Sequence, residues 1–487
     1  MDGTENKSAF YPPQDSWPEI RLSNVISALS FALDLTKGQP MGHAVNCCLL
    51  GMRMAEIIGL PEAERSDLYY ALLRKDAGCS SHGARMFEIF GGDEIQAKRE
   101  VKTQDWTRIN LDGLNYLLRN VQPNGSAIER MRSLANIVAH RKDQAEELMH
   151  LRCDRGSEIA LKLGFSTNVA ESIRALDEHW NGKGGPAGIS GEHIPLLARI
   201  MSICQTLEVF AALDGREEAY GVIEERSGAW FDPELVRAAQ ELRNDEEFWK
   251  HLQDGSARRL VIECEPSNAA VMTSDERLDN ICDAFAEVVD AKSPFTHRHS
   301  QGVTHVAVAL GTKLGLANKT MIMLRRAALL HDIGKLSVPN SILDKPGPLT
   351  AREWEVVRLH PYYTQRILEK VNGFEHRAYV ASSHHEKLDG SGYYRNLRAS
   401  QLPLQARVLT MADMWDALTA DRPYRIGMAA EKALAIVAKE VPHALDGDCF
   451  AALQEILPTL PSHIHRESKV SAPELADKPS RPSSSRR

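Results

Sequence analysis

The stretch His331-Asp332-Ile333-Gly334-Lys335 follows an apolar run with helical spacing and places an imidazole beside a carboxylate. Two such groups are costly to bury unless they are paired with each other or hold a cation. We therefore interpret His331-Asp332 as the first half of a metal site. A hydrogen-bonded pair in the protein core is the alternative interpretation.

Further candidate ligands stand on both sides of this pair, at intervals that suit successive helices. They are His299, His360, the doublet His384-His385, and Asp413. Nitrogen and oxygen donors of this kind suit iron, manganese or zinc rather than calcium. A single carboxylate, Asp332, could bridge two ions, which together can activate water and hold both the attacking and the leaving oxygen of a phosphoryl displacement. The pattern therefore predicts phosphodiester hydrolysis.

These residues and two later motifs resemble the HD-GYP subgroup of the HD phosphohydrolase superfamily. The later motifs are the loop Asp389-Gly390-Ser391-Gly392-Tyr393 and the run DALTADRPYR at residues 416–425. The resemblance extends over roughly residues 275–450. One position departs from the family pattern, because Tyr394 stands where the family signature has proline. Tyrosine permits more backbone conformations than proline, and its ring could reach into the pocket.

The resemblance implies how the ligands divide between two divalent ions. One ion would take His299, His331, Asp332 and Asp413, and the other would take Asp332, His360, His384 and His385. Iron or manganese is favoured, with zinc as a further option. A third metal is not expected, since Phe295 and Thr296 stand where three-metal relatives have an acidic residue. The implied reaction is attack of a metal-bridging hydroxide on cyclic di-GMP, giving linear pGpG and then GMP.

Lys335 and Asp332 are the candidate catalytic residues. Lys335 lies one turn beyond His331, so if the helix continues both side chains point the same way. The ammonium could then neutralise charge on a phosphate oxygen and contact the substrate. The alternative is an exposed lysine next to a glycine that ends the helix.

Four further residues are candidates for contacts to the substrate. Arg422 and Arg425 could clamp phosphate oxygens, because a guanidinium binds them bidentately. Gly392 would let the loop backbone approach the substrate, and Tyr393 could stack on a base. Solvated arginines and a tyrosine that only packs the loop remain the structural alternatives.

At 487 residues the chain exceeds the usual limit for a single core, which predicts two domains. Its 43% apolar side chains and net charge of -8 are typical of a globular protein. This charge is unsuited to binding duplex nucleic acid. The N-terminal residues lack the basic start and apolar core of a signal peptide, and no uncharged run is long enough to span a membrane. The eight cysteines form no CxxC pair. We expect a cytoplasmic protein without membrane association, and a homo-oligomer remains possible.

Helical spacing dominates the chain, and long alternating strands are absent, so the fold class is predicted as all-α. Residues 275–289 carry apolar side chains at helical spacing after a candidate capping box of Thr273 and Glu276. The pair Thr350 and Glu353 gives the same start signal for a later helix.

The first half of the chain matches the second in an internal repeat, which predicts two tandem HD-domain helical bundles. His43 and Asp76 fall on His299 and Asp332, but the other ligands are lost. Their positions are occupied by Lys75, Arg152, Leu176-Asp177 and Gln205. The first copy is therefore predicted to be degenerate and metal-free, with a regulatory or scaffolding role.

The predicted domain organisation has five parts. They are a disordered segment at residues 1–16, the degenerate domain at 17–243, a charged and irregular linker at 244–273, the catalytic domain at 274–461, and a disordered tail at 462–487. Extra residues between about 83 and 151 form an insertion that could contact the other half.

The sequence thus predicts a metal-dependent phosphodiesterase in signal transduction that acts on cyclic di-GMP. Two alternatives stay open at this point. One is a phosphohydrolase for another nucleotide or phosphoester, and the other is a signalling adaptor without catalysis.

Overall fold

The computed structural model describes residues 20–102, 111–123, 125–266, 273–294, 296, 298–345, 347–420 and 426–460. Within these ranges every regular element is a helix, and β-type pairing is limited to two isolated bridges. The predicted all-α fold class is confirmed. The terminal segments 1–16 and 462–487, which the sequence predicts to be disordered, lie outside the described residues.

The helices of the first half surround a core built on its second, third and tenth members. In chain order they are α1 (Leu22–Thr36), α2 (His43–Ile57), α3 (Glu62–Arg74), α4 (Gly83–Phe90), α5 (Glu94–Val101), α6 (Leu111–Asn120), α7 (Ala127–Ala139), α8 (Arg141–Lys162), α9 (Thr167–Arg174), α10 (Leu196–Leu213), α11 (Arg216–Glu225), α12 (Pro233–Gln240), α13 (Glu246–Gln253) and α14 (Ala257–Glu263). A short 3-10 turn, Ala77–Cys79, follows α3.

The second half packs in a similar order around the sixteenth, seventeenth and twenty-second helices. These helices are α15 (Asp275–Asp290), α16 (His299–Lys313), α17 (Asn318–Leu330), α18 (Asn340–Leu343), α19 (Ala351–Arg358), α20 (His360–Leu368), α21 (Glu375–Ala381), α22 (Leu404–Thr419), α23 (Ala430–Ala438) and α24 (Gly447–Ile456). A 3-10 turn, Ile333–Ser337, follows α17.

Local signals fix several helix starts. Thr350 and Glu353 form the predicted capping box, in which the threonine hydroxyl accepts from the Glu353 amide at 3.3 Å. At α15 the cap lies one residue later than expected, because the Ser274 hydroxyl accepts from the Arg277 amide at 3.1 Å. Thr273 and Ser274 carry equivalent hydroxyl groups, so the sequence could not choose between them.

The two halves share one continuous apolar core. Helix α1 is apolar on most of its faces, with Leu22, Val25, Ile26 and Leu29 all buried, so it needs neighbours on several sides. It packs on α2 and α3 of its own half, and on the turn Ile333–Ser337 and α20 of the other half. The first half therefore supports the segment that follows the His331-Asp332 pair.

The described part of the segment 244–273 corrects the sequence analysis. It was expected to be irregular, but it forms α13 and α14 as far as residue 263. Phe248, Trp249 and Val261 are buried in the core, while most charged residues of the two helices are exposed. Glu265, which follows α14, is buried and accepts hydrogen bonds from Ser23 and Tyr70. The charge content hid two amphipathic helices, and α14 packs directly on α2.

Helix α10 is long and apolar enough to cross a membrane by length and composition alone. In the fold it packs against α2, α3 and α11. Its apolar residues, including Leu197, Ile200, Ile203 and Leu207, are buried in the first-half core. The core helix of a globular domain has the same composition.

Candidate metal centre

Helix ends and one helix interior deliver all of the predicted ligands to one place. His299 opens α16, His360 opens α20, and His331-Asp332 directly follow α17. The doublet His384-His385 comes after α21, and Asp413 lies within α22, which packs along α16. The ligand positions are thus set by the relative packing of five helices.

The carboxylate of Asp332 lies at the middle of the cluster and faces two groups of histidines. Its Oδ2 lies 3.4 Å from His299 Nε2 and 3.3 Å from His331 Nε2. Its Oδ1 lies 3.3 Å from His360 Nε2 and 3.5 Å from His384 Nε2. This arrangement matches the predicted role of Asp332 as a bridge between two sites.

Asp413 and His385 complete the two groups. Asp413 Oδ1 lies 3.3 Å from His299 Nε2, and its Oδ2 lies 3.6 Å from His385 Nδ1. The potential ligand atoms of His360, His384 and His385 lie within 4.8 Å of one another. Those of His299, His331 and Asp332 do the same, whereas Asp413 stands near one histidine of each group.

The backbone fixes the tautomer of three rings. In His331, His360 and His384 the ring Nδ1 lies 2.6–2.7 Å from the carbonyl oxygen three residues earlier. A carbonyl only accepts, so Nδ1 carries the proton and Nε2 presents a lone pair. All three lone pairs point towards Asp332, which is the orientation that a metal ligand needs.

Several buried polar atoms in this cluster lack partners that an ion would supply. The Nε2 atoms of His360 and His384 lie 3.0 Å apart with two lone pairs facing each other. His331 Nε2 and Asp332 Oδ1 are buried without a hydrogen-bond partner. Buried polar groups are seldom left without partners, and a divalent ion in each of the two histidine groups would satisfy these four atoms. These nitrogen and oxygen donors suit iron, manganese or zinc.

The electrostatics keep most of the ligands in the form that binds a metal. Burial acts to raise the pKa of Asp332, but His331 and Lys335 hold it well below its ordinary value. Burial lowers the pKa of His360 to about 4 and also lowers the pKa of His384. Ionised carboxylates and neutral imidazoles are the ligand forms of these groups.

His299 is the exception, and it has a support that the sequence analysis missed. Burial would lower its pKa, but Asp332, Asp413 and Asp416 raise it well above the ordinary value. The buried carboxylate Oδ2 of Asp416 lies 2.6 Å from His299 Nδ1 and orients the ring. Gly302 makes this possible, because a Cβ at that position would overlap the Asp416 carboxylate. The spacing of Asp416 from Asp413, three residues on one helix face, was the available signal.

Lys335 reaches the cluster by a different route from the one predicted. The helix does not continue past His331, since α17 ends at Leu330 and Lys335 stands on the 3-10 turn Ile333–Ser337. Its Nζ lies 2.5 Å from Asp332 Oδ2, and its side chain is 18% exposed. The ammonium thus borders the cluster and still faces solvent.

The glycine-rich loop lies over the second histidine group. The Tyr393 ring packs against His385 with 4.3 Å between centroids and a tilt of 34° between the ring planes. Gly392 packs so closely on the Glu386 backbone that a Cβ would clash there, so its role in the structure is to seat the loop. The buried Glu386 carboxylate accepts from the Leu397 amide at 2.8 Å and anchors the far end of the loop.

Tyr394 contacts residues away from the predicted ligands in the part of the chain that the structure describes. Its hydroxyl lies 2.5 Å from Gln365 Oε1 on α20, and its ring packs on Tyr362. The tyrosine at the family's proline position therefore braces α20, where the sequence analysis expected that it could reach into the pocket. Arg422 and Arg425, the predicted phosphate clamps, lie outside the described residues.

In the first half, ammonium groups stand among the residues that the repeat pairs with the ligands. Lys75 Nζ donates to His43 Nε2 at 2.9 Å, to Asp76 Oδ2 at 2.5 Å and to Gln205 Oε1 at 3.1 Å. The ammonium of Lys37 pairs with the other oxygen, Asp76 Oδ1. Each oxygen of Asp76 is therefore held by a cationic side chain.

Two further contacts in the first half bear on metal binding. His43, Cys47 and Glu208 lie close enough to hold an ion. However, His43 Nε2 already accepts from Lys75, its Nδ1 pairs with Glu208, and burial raises the pKa of the Cys47 thiol. This trio resembles a hydrogen-bonded remnant more than a metal site, since a thiol must ionise to bind a transition metal.

Comparisons with known proteins agree with this geometry. The family model described as HD domain matches residues 132–235 and 283–449. A 3'3'-cGAMP-specific phosphodiesterase 3 of Vibrio cholerae is 42% identical over 448 residues, which is 92% of this chain and 96% of that protein. The cyclic di-GMP phosphodiesterase response regulator RpfG of Xanthomonas campestris is 32% identical over 207 residues, which is 41% of this chain and 54% of that protein. A crystal structure of a cyclic GMP-AMP specific phosphodiesterase of V. cholerae superposes with a TM-score of 0.64 at 38% identity and covers 91% of this chain and 99% of that one.

Proposed function

The chain belongs to the HD-GYP subgroup of the HD phosphohydrolase superfamily, and on that premise we propose that it hydrolyses a 3'3'-cyclic dinucleotide at the Asp332 centre, with 3'3'-cGAMP as the preferred substrate. Its relatives are phosphodiesterases of a metal-dependent type, and the chain is a phosphodiesterase of that type. The observation that carries the proposal is the two-sided Asp332 carboxylate between two groups of histidine Nε2 atoms.

We propose that two divalent ions occupy the two groups, with iron or manganese favoured and zinc a further option. His299, His331 and Asp413 would hold one ion, His360 and His384-His385 the other, and Asp332 would bridge them. Such a pair supplies Lewis acidity and a reactive water at neutral pH, and it holds the oxygens of an in-line displacement. The facing lone pairs of His360 and His384 support this assignment.

Side chains at the border of the cluster would position the dinucleotide. The Lys335 ammonium, already paired with Asp332 and open to solvent, would neutralise charge on a phosphoryl oxygen. The Tyr393 ring, with the exposed guanidinium of Arg358 5.7 Å from its centroid, offers a surface for a base. Hydrolysis adds water at phosphorus and releases the 3'-hydroxyl, so the product is a linear dinucleotide with a 5'-phosphate.

The choice between two substrates rests on the extent of the similarity. The 3'3'-cGAMP-specific relative matches both halves of this chain, whereas the cyclic di-GMP relative RpfG matches less than half of it. Cyclic di-GMP, the substrate expected from the sequence, is the second candidate because several relatives that match a smaller share of the chain are cyclic di-GMP phosphodiesterases. The two substrates differ only in one purine.

Initial rates with purified, metal-loaded protein test the proposal. We expect the highest kcat/KM for 3'3'-cGAMP and a lower value for cyclic di-GMP, with Asp332→Ala as the inactive control. A higher kcat/KM for cyclic di-GMP would establish the second candidate. Failure to hydrolyse any cyclic dinucleotide, with metal present, would refute the proposed function.

The first half, residues 17–243, is proposed to be a metal-free scaffold in a tandem arrangement. The two ammonium groups on Asp76 and the separate family match at residues 132–235 support this. Elemental analysis of the full chain should find about two metals, and Asp332→Ala should find almost none. Metal that survives in the variant would place an ion in the first half. Cytoplasmic location, lack of membrane association and homo-oligomer formation remain predictions.

A further inference from the structure

The insertion of the first half places a carboxylate inside the second half. Glu94, the first residue of α5, is fully buried. Its Oε1 lies 2.6 Å from the ammonium of Lys292, which is also buried, and its Oε2 accepts from the backbone amide of Asn340 at 2.8 Å. One side chain of the first half therefore joins two separate segments of the second.

Both segments lead directly to the candidate metal centre. Lys292 lies near the start of the connection between α15 and α16, and His299 opens α16. Within this connection the Thr296 hydroxyl donates to the Ser293 carbonyl at 2.9 Å, and the His299 amide donates to the Thr296 carbonyl at 3.0 Å. A chain of short contacts thus runs from the neighbour of Lys292 to a predicted ligand.

Asn340 provides the other connection. It follows the turn Ile333–Ser337, in which the Lys335 amide donates to the Asp332 carbonyl at 2.8 Å and the Val338 amide donates to the Lys335 carbonyl at 3.0 Å. The Asn340 side chain donates to the Lys292 carbonyl at 2.7 Å, which closes the contact between the two segments. Glu94 lies on this junction and contacts both of its sides.

We propose that Glu94 is a positioning residue for the metal centre of the other half, which holds the segments leading to His299 and from Asp332 in their relative place. This inference rests on the proposed function. The Glu94 carboxylate is the group that faces both the Lys292 ammonium and the Asn340 amide, so its removal leaves a buried charge and a buried amide without their partner. Supporting residues behind metal ligands typically change metal affinity or activity by about 10–100-fold.

The test uses the full chain and measures metal content, kcat, KM and thermal stability together. Glu94→Gln should lower the bound metal and reduce kcat by about tenfold or more, with little change in KM, because Glu94 lies away from the substrate. The matched control is Asp232→Asn, which weakens a largely buried ion pair with Arg199 inside the first half (2.7 Å). It should lose stability and retain metal and kcat.

A second variant separates positioning from stability. Glu94→Gln combined with Lys292→Met removes both charges, so most of the thermal stability should return. The tie between the insertion and the 292 segment remains broken, so metal content and kcat should stay low. Recovery of kcat and metal in the double variant would reduce Glu94 to a stability role and overturn the inference.

Three further results would each overturn the inference. If the wild type is active and Glu94→Gln has the same metal content and kcat, the inference is overturned and the proposed function stands. Equal losses of metal and kcat in Asp232→Asn would overturn it as well, since any destabilisation would then act the same way. A wild-type protein without metal or phosphodiesterase activity would overturn the proposed function, and this inference with it.

Discussion

Asp416→Asn removes one negative charge behind His299 and keeps the shape of the side chain. The carboxylate Oδ2 lies 2.6 Å from His299 Nδ1, and both residues are buried. A short, buried contact of this kind is a charge-assisted hydrogen bond, which fixes the ring and strengthens its lone pair towards a metal. We therefore expect the variant to bind metal more weakly on the His299 side of Asp332.

The size of the effect follows from the charge that is lost. A hydrogen bond to a charged group contributes about 1.5–3 kcal/mol and a neutral one about 1 kcal/mol. The asparagine oxygen can still accept from His299, so the expected loss is about 0.5–2 kcal/mol, or roughly 2–30-fold in metal affinity. Gly302→Ala should give a loss in the same direction by another route, because its Cβ would displace the Asp416 carboxylate.

Metal titration of chelator-treated protein, followed by kcat at saturating metal, measures this loss. Glu208→Gln is the matched control, since Glu208 pairs with His43 in the first half as Asp416 pairs with His299. It should leave the metal affinity unchanged. If both Asp416→Asn and Gly302→Ala bind metal as the wild type does, the support role of Asp416 is refuted.

Three further outcomes are expected. Asp332→Ala should lose both ions and reduce hydrolysis to the assay background, because it removes the proposed bridge; near-normal activity with two metals would show that the site is misassigned. Tyr394→Phe should lower stability by about 1 kcal/mol, since it deletes the hydrogen bond to Gln365, without changing KM; a changed KM would place Tyr394 at the substrate. In metal-free protein, burial lowers the pKa of folded His360 to about 4, below its unfolded value of 6.5. The unfolded chain therefore binds the proton first, so the stability that neutral His360 contributes is fully present above pH 6.5 and is lost as the pH falls towards 4. Thermal unfolding across this window should show a shallower pH dependence in His360→Asn, and an unchanged slope would contradict the burial of a neutral ring.

Helix content and some helix starts could be predicted from local chemistry. The Thr350–Glu353 box worked because it is a signal within four residues. The helices after residue 244 were not predicted, because charged residues dominate the composition of that segment. The burial of Phe248 and Trp249 depends on packing against helices that are distant in sequence. Local sequence patterns predict helix caps and helical periodicity, but they do not predict which face of a helix packs on which neighbouring helix.

The candidate ligands could be picked out from the sequence because clustered histidines and aspartates have few other uses in a core. The supporting groups were not. Asp416 looks like any acidic residue on a helix, and Glu94 looks like an acid in the first turn of a helix, where it would favour the macrodipole. Their roles depend on contacts to residues more than a hundred positions away, to His299 and Lys292 respectively.

In the first half, Asp76 is the carboxylate at the position of Asp332, and two lysines pair with it. Asp76 is 1% exposed, and a buried carboxylate without a cation is strongly unfavourable. Lys75 and Lys37 hold its two oxygens, where Asp332 faces two histidine groups in the other half. These two ammonium groups supply the positive charge that a buried carboxylate requires, which supports the proposal that the first half holds no ion.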